Sequence, residues 1–371
     1  MKPTRSLEGL CQVAVTVTLL LTCSVSSGGQ TRRYNGPVGS QAADEVARAR
    51  GGPAQPAACR DTTPHQVTFV EVEPGVRLEV LDWGGADKPQ TMVLLTGLGD
   101  NAHVYDPLAF QFTDDFHVIG ITRRGFLPSS QPEHGYDVET RARDDIAVLD
   151  ALGIRKATFI GHSLAGSELS KLGEVYHTRV EKLVYLDAAD LAERFFPSRT
   201  EPPGPQSLFT SATLTSLWTY QAASARFTAL REPDPAVCIG AEFDRHGALT
   251  GSTTPDWVST KLLEGVAGAV NPPVNWANIE APRLGIFALF TIEARQAWYW
   301  YLTSAEQAAF DEAWPPIVAW HQETITKFAD NNPIPPLILL LPGAPHYVYI
   351  NHETEVVREM RKFLGLPVGG N

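Results

Sequence analysis

Gly161-His162-Ser163-Leu164-Ala165-Gly166 is the stretch of sequence that decides the fold. A short apolar run typical of a strand precedes it, and a helix-forming segment follows it. A serine between a strand and a helix occupies a tight turn, in which the residues two positions before and after it must be small. Gly161 and Ala165 meet this requirement. The sequence therefore predicts that Ser163 is a nucleophile and that the backbone N–H of Leu164 points toward a developing oxyanion.

The composition limits the class of protein. The chain has 371 residues, 43% apolar and 19% charged, which is typical of a globular protein large enough to bury a core. Its formal net charge of −12 argues against nucleic acid or an anionic membrane as the main partner. The sequence has no internal repeat and no cluster of Cys and His with metal-ligand spacing, so no metal site is predicted.

The N-terminal residues have the layout of a secretory signal. Lys2 and Arg5 precede an apolar run over 10–21, and small polar residues follow this run. The pattern predicts a signal peptide over 1–27, with cleavage after Ser27. Because the run is short for a bilayer, we expect no integral membrane span, and the mature chain is predicted to be secreted or periplasmic.

The predicted signal peptide determines which of the four cysteines remain in the mature chain. Residues 28–63, rich in Gly, Ala, Pro, Gln and Arg, are predicted to form a flexible arm. Loss of the signal leaves Cys59 and Cys238, and such a pair is expected to form a disulfide in an oxidising compartment, with two separate buried thiols as the alternative. Lipidation at Cys23 ranks second to simple secretion, because Thr22 fits poorly in the lipid-attachment pattern that these residues resemble.

Strands alternate with helices from Pro64 onward. Apolar runs separated by amphipathic segments predict an α/β fold, in which helices flank a mostly parallel sheet. The predicted core has a first part over 64–189 and a second part over 281–371, with an insertion over 190–280 between them. The predicted strands cover residues 67–72, 77–81, 91–95, 116–121, 156–160, 183–186, 284–289 and 337–341.

The insertion is too long for a loop and is predicted to form a small, largely helical cap. Some of its aromatic side chains are expected to line an apolar substrate pocket, although packing on the core accounts for most of them. A second excursion, over 291–334, is expected to hold a helix that Pro315 and Pro316 break or restart. The aromatic residues of the cap are Phe195, Phe196, Trp218, Tyr220, Phe227 and Trp257.

A serine nucleophile needs a base, and the loop after the last strand supplies a histidine. His346 follows the strand 337–341 closely and is the predicted base. His352 lies beside the closing helix and is expected to be a surface or capping residue.

The third partner of such a triad orients the imidazole. Asp187 ends the strand 183–186 at the carboxyl edge of the sheet, where the sites of open α/β sheets form, and is the predicted acid. Glu293, after the following strand, is the alternative. A second oxyanion donor is expected from the loop after the third strand, where Leu98 lies between two glycines that let the backbone approach the reacting centre.

Together these residues resemble the α/β-hydrolase superfamily over about 68–366, in the branch with a cap after the sixth strand. The resemblance implies an eight-stranded sheet, a triad of Ser163, His346 and an acid, and no cofactor. Asp187 matches the position of the acid in the haloalkane dehalogenase branch. Two features depart from the pattern: Thr96 stands where the family usually has histidine, and no aspartate follows the seventh strand. The motifs that carry the resemblance are 94–99, 161–166, 183–188 and 343–347.

The implied function is that of an exported serine hydrolase, of esterase or lipase type, acting on a small-molecule ester. A serine nucleophile counts against epoxide hydrolase or dehalogenase chemistry, which in this superfamily uses an aspartate. Two alternatives stay open: a peptidase, amidase or carbon–carbon bond hydrolase with the same triad, and a non-catalytic protein that binds a small apolar ligand under the cap. The sequence leaves the oligomeric state open.

Overall fold

The computed structural model describes residues 63–188, 241–243, 249–266, 274–290, 304–330, 334–344 and 346–368. The predicted signal peptide, nearly all of the N-terminal arm and the pairing of Cys59 with Cys238 lie outside these ranges. Most of the predicted cap and Glu293 lie outside them as well. None of the described helices combines the length and the apolarity that crossing a bilayer requires.

An eight-stranded sheet forms the centre of the described structure, as predicted. The strands are β1 (Gln66–Glu73), β2 (Val76–Gly84), β3 (Thr91–Leu95), β4 (His117–Thr122), β5 (Ala157–His162), β6 (Val180–Leu186), β7 (Ala241–Phe243), β8 (Leu249–Ser252), β9 (Arg283–Leu289) and β10 (Leu337–Pro342). The order across the sheet is β1-β2-β4-β3-β5-β6-β9-β10. Only the pairings of β2 with β1 and β4 are antiparallel in this sheet, so the carboxyl ends of its parallel strands meet at one edge.

Helices cover both faces of this sheet. The central strands are buried on both sides, which explains why their sequences are continuous apolar runs. On β3, Leu94 packs in one apolar cluster with Met360, while Val93 packs in the opposite cluster with Leu169. The helices are α1 (Asp106–Ala109), α2 (Val138–Ala151), α3 (Ala165–Val175), α4 (Asp256–Val266), α5 (Ser304–Asp330), α6 (Val348–Asn351) and α7 (Glu353–Leu364).

Part of the predicted cap falls within the described residues. It includes the antiparallel pair of β7 and β8, helix α4 and a 3-10 helix over Trp276–Asn278. These pieces contain strand as well as helix, and a largely helical cap stays a prediction.

The expectation that Pro315 and Pro316 interrupt a helix is wrong. Both lie inside α5, which runs unbroken over 27 residues. A proline inside a helix costs about 3 kcal/mol, since it removes a hydrogen bond and crowds the preceding turn. Burial of one helix face offsets this cost, because side chains at three- and four-residue spacing pack on the core. The buried residues of this face are Trp314, Val318, His321, Ile325 and Phe328.

A buried ion network joins the end of β4 to α3. The Arg123 guanidinium donates through Nε to Glu168 Oε1 at 3.0 Å, and it also donates to the carbonyls of Thr96 at 2.8 Å and Gly97 at 3.0 Å. Arg141 lies 3.2 Å from the same carboxylate. Burial would raise the pKa of Glu168, but the two guanidinium charges outweigh it and hold the pKa below its ordinary value. The network therefore holds the loop after β3 against the helix that follows Ser163.

We expect Glu168→Gln to lower the free energy of unfolding by about 3 kcal/mol, because it removes the carboxylate charge that lies against two buried guanidinium groups. Chemical denaturation followed by circular dichroism measures the effect. The matched control is Glu181→Gln, which removes one member of an exposed pair with Lys156 (2.9 Å). This control should change the free energy by no more than about 0.5 kcal/mol. Equal losses in the two variants would contradict a structural role for the buried network.

Candidate active site

Ser163 lies at the carboxyl edge of the sheet, between β5 and α3. Its backbone has a φ of 52°, in the left-handed region that non-glycine residues rarely adopt. The turn requires a small residue at Gly161, since a Cβ there would lie 2.8 Å from the Cβ of Ala165. The sequence prediction of a tight strand–turn–helix is confirmed in the backbone, while the role of Ser163 as a nucleophile stays a prediction.

Asp187 occupies the second left-handed position among the described non-glycine residues, with a φ of 45° directly after β6. Its Oδ1 accepts the backbone N–H of Ala288 at 3.0 Å and lies 3.1 Å from Nε2 of His321. Its Oδ2 lies 2.6 Å from Nδ1 of His346. The structure therefore brings together His346 and Asp187, the acid that the sequence analysis ranked ahead of Glu293.

The electrostatics of Asp187 favour the charged form. Complete burial would raise the pKa of this carboxyl, but the positive charge available at His321 and the hydrogen bonds from His321 and His346 outweigh burial and hold the pKa well below its ordinary value. An ionised carboxylate only accepts hydrogen bonds, so Nδ1 of His346 carries the proton in this contact. In the neutral imidazole, Nε2 is then the basic nitrogen.

His346 is buried in the segment between β10 and α6. Its backbone carbonyl accepts a hydrogen bond from Nε2 of His162 at 3.1 Å, and the two rings lie 4.4 Å apart. The residue before Ser163 thus holds the segment that carries His346. His352, which the sequence placed outside the site, immediately precedes α7, and its backbone N–H donates to the carbonyl of Val348.

The loop after β3 approaches the turn at Ser163 closely. A Cβ on Gly97 would lie 2.8 Å from Nδ1 of His162, so only glycine fits there without a shift. Arg123 holds the carbonyls of this loop, and the Tyr105 hydroxyl donates to the carbonyl of Leu95 at 2.7 Å. The backbone that precedes Leu98 is therefore fixed from two sides.

The two predicted oxyanion donors share an apolar environment. The side chains of Leu98 and Leu164 are buried in one cluster, which also includes Val258 and Leu262 of α4. Leu164 immediately precedes α3, and the first N–H groups of a helix have no acceptor within the helix. Their backbone N–H groups are suitable donors, and their part in the reaction stays a prediction.

His321 was missed at the sequence level. It lies on α5, is buried, and stacks on Phe290 with ring centroids 4.1 Å apart. The segment 291–334 had no local pattern linking this histidine to Asp187, because the contact depends on how α5 packs over the sheet. Its spacing from Trp314 and Ile325 puts the three residues on one face of a helix. This spacing was the available sequence signal that His321 faces inward.

Comparison with known proteins supports the family. A family model described as the alpha/beta hydrolase fold matches residues 90–231. A non-heme chloroperoxidase of Streptomyces lividans is 30% identical over 206 residues, which is 54% of this chain and 69% of that protein. A putative carbamate hydrolase, RutD, of Caulobacter segnis is 31% identical over 115 residues, covering 30% of this chain and 43% of the relative.

Solved structures agree at the level of the fold. The structure of E-2-(acetamidomethylene)succinate hydrolase aligns with a TM-score of 0.56 and 18% identity. The alignment covers 81% of this chain and all of that one. At this identity the likeness concerns the fold alone.

We expect the stability of the protein to fall in mild acid partly through His162. Burial, together with the charge of His346, holds the pKa of His162 well below its ordinary value of about 6.5. Below about pH 6.5 the unfolded chain therefore binds a proton that the folded chain excludes, and the free energy of unfolding falls as the pH decreases.

His162→Gln keeps a side-chain donor for the His346 carbonyl but does not titrate. Between about pH 7.5 and 5 the free energy of unfolding should fall less in this variant than in the wild type, by about 1 kcal/mol or more. Denaturant titrations at several pH values measure the two slopes. Identical slopes would show that protonation of His162 does not oppose folding.

Proposed function

The chain belongs to the α/β-hydrolase family, and we propose that it is a serine hydrolase that cleaves carboxylic esters of small or apolar substrates. The observation that carries the proposal is the 2.6 Å contact between Nδ1 of His346 and Oδ2 of the buried Asp187. Such a contact orients an imidazole toward a nucleophile and stabilises its charged form. Ser163 on its strained turn is the proposed nucleophile.

In the proposed reaction, Nε2 of His346 takes the proton of the Ser163 hydroxyl as its oxygen attacks the ester carbonyl carbon. The electron pair of the carbonyl moves to its oxygen, which the N–H groups of Leu98 and Leu164 stabilise. Collapse of this intermediate expels the alcohol, which takes the proton from His346. Water then attacks the acyl-enzyme by the same route and releases the acid and the free serine.

The surroundings of the donors support an apolar substrate. The side chains next to Leu98 and Leu164 are mainly hydrophobic, and α4 of the predicted cap contributes to this cluster. Ligand-binding sites are commonly lined by side chains of this type, while a few polar groups fix the orientation of the ligand. The other members of the cluster or its partly buried neighbours are Phe126, Tyr136, Val138, Trp257, Val258, Leu262 and Trp320.

Export is part of the same proposal. The sequence layout of residues 1–27 supports a signal peptide, and Cys59 and Cys238 would then meet in an oxidising compartment. Neither cysteine lies within the described residues.

Ser163→Ala should lower ester hydrolysis by about a thousandfold or more, because it removes the attacking oxygen. Turnover on a panel of acyl esters, lactones and amides, together with labelling by a fluorophosphonate, measures the loss. The matched control is Ser170→Ala, which removes a buried hydroxyl bonded to the Gly166 carbonyl on the same helix. It should keep its label. Wild-type protein that is folded, inactive on the panel and unlabelled would contradict the proposed enzyme and favour the ligand-binding alternative.

Asp187→Asn should lower turnover by about a hundredfold or more, since an amide favours the wrong imidazole tautomer. Glu293→Gln should cost less than about tenfold, as expected for a residue outside the triad. Both variants are measured on one activated ester, with circular dichroism to verify folding. If the two effects ranked in the opposite order, the acid would be Glu293.

A further inference from the structure

A second cluster of chemically active side chains lies apart from the residues of the proposed triad. His65 directly precedes β1, His103 lies in the short 3-10 helix that follows the loop after β3, and Asp106 begins α1. One ligand atom from each of these residues lies within 4.8 Å of the others. His103 and Asp106 are 4% and 6% exposed, and the side chain of His65 is 5% exposed.

His103 is held in the orientation of a metal ligand. Its Nε2 lies 3.3 Å from Oε1 of the buried Glu79, whose other oxygen accepts the Thr122 hydroxyl at 2.6 Å. A metal-binding histidine usually donates its second ring N–H to a carboxylate or carbonyl, which fixes the ring and its tautomer. With the proton on Nε2, the lone pair of His103 lies on Nδ1.

Asp106 is fixed in a similar way. Its Oδ1 accepts the indole N–H of Trp83 at 2.7 Å and lies 3.9 Å from Nδ1 of His65. The rings of His65 and His103 meet edge-on, with centroids 5.2 Å apart. Two imidazoles and a carboxylate therefore converge in a buried position, with His103 and Asp106 on adjoining helical segments and His65 on the residue before β1.

We propose that His65, His103 and Asp106 bind a divalent transition-metal ion, and zinc in the first place. Two imidazole nitrogens and one carboxylate oxygen are a common zinc set. Calcium and magnesium prefer sites in which all ligands are oxygen atoms, whereas two of the three ligands here are imidazole nitrogens. The ion would link His65, before β1, to Asp106 on α1. It would stabilise the folded chain, because the site does not exist in the unfolded chain and the free energy of binding therefore adds to the free energy of folding.

Zinc and cobalt binding tests this proposal on the full chain without an affinity tag. After treatment with a chelator and its removal, Zn²⁺ should bind with a dissociation constant of about 1 µM or lower in isothermal titration. Co²⁺ should produce visible absorption bands that saturate at one equivalent. A hundredfold excess of Zn²⁺ over the dissociation constant should raise the melting temperature by about 5 °C. A folded wild-type chain that binds neither ion would overturn the proposal.

Variants locate the site. His103→Ala and His65→Gln should each weaken Zn²⁺ binding by about a hundredfold, and Glu79→Gln by about tenfold through the orientation of His103. The matched control is His117→Gln, which removes a histidine 2.9 Å from Asp82 on the same sheet and should leave affinity within about threefold. If His103→Ala fails to fold, His65→Gln decides, because His65 lies outside the strands. Unchanged Zn²⁺ affinity in His65→Gln would place the ion elsewhere and overturn the assignment.

Discussion

The carboxyl edge of the sheet, where the candidate active site lies, depends on one buried charge, the carboxylate of Asp187. A buried anion is tolerated only where hydrogen bonds and opposite charge replace the lost water. Asp187 obtains them from His346, from His321 and from the backbone N–H of Ala288. These groups come from the segment after β10, from α5 and from β9, so a single carboxylate connects elements that lie far apart in the chain. Its left-handed backbone is kept because this surrounding structure over-determines it.

Ser163 is subject to a second constraint of the same kind. Its turn is strained, and the helix α3 that follows it is held to the end of β4 by the buried charges of Glu168 and Arg123. Arg123 also binds the carbonyls of Thr96 and Gly97, so the loop of Leu98 cannot move independently of α3. Preorganised donors need no rearrangement when charge develops in a transition state. A rigid frame around Ser163 is thus suited to the proposed chemistry.

The sequence predicted what depends on local pattern. Apolar runs predicted the strands, and the small residues around Ser163 predicted the turn. Both features could be predicted because each signal lies within a few neighbouring positions. The proximity of Asp187 to His346 could be predicted because parallel strands end at a common edge, while the choice of Asp187 over Glu293 as the acid stays a prediction. The contact of His321 with Asp187 could not be predicted, since it depends on how α5 packs over the sheet. Burial of one face of α5 stabilises the helix by more than the two prolines destabilise it. This burial depends on tertiary packing, which the local sequence does not reveal.

In the proposed mechanism, specificity and catalysis would be coupled through the same apolar cluster. Leu98 and Leu164 supply the proposed oxyanion donors with their backbones, while their side chains pack with Val258 and Leu262 of α4. A substitution on α4 that enlarges or fills this cluster changes the shape offered to a substrate. It also shifts the backbone of the donors, because close-packed interiors transmit such changes rather than absorb them. Altered substrate preference in this protein should therefore be accompanied by altered turnover, with the strongest coupling at residues that contact both leucines.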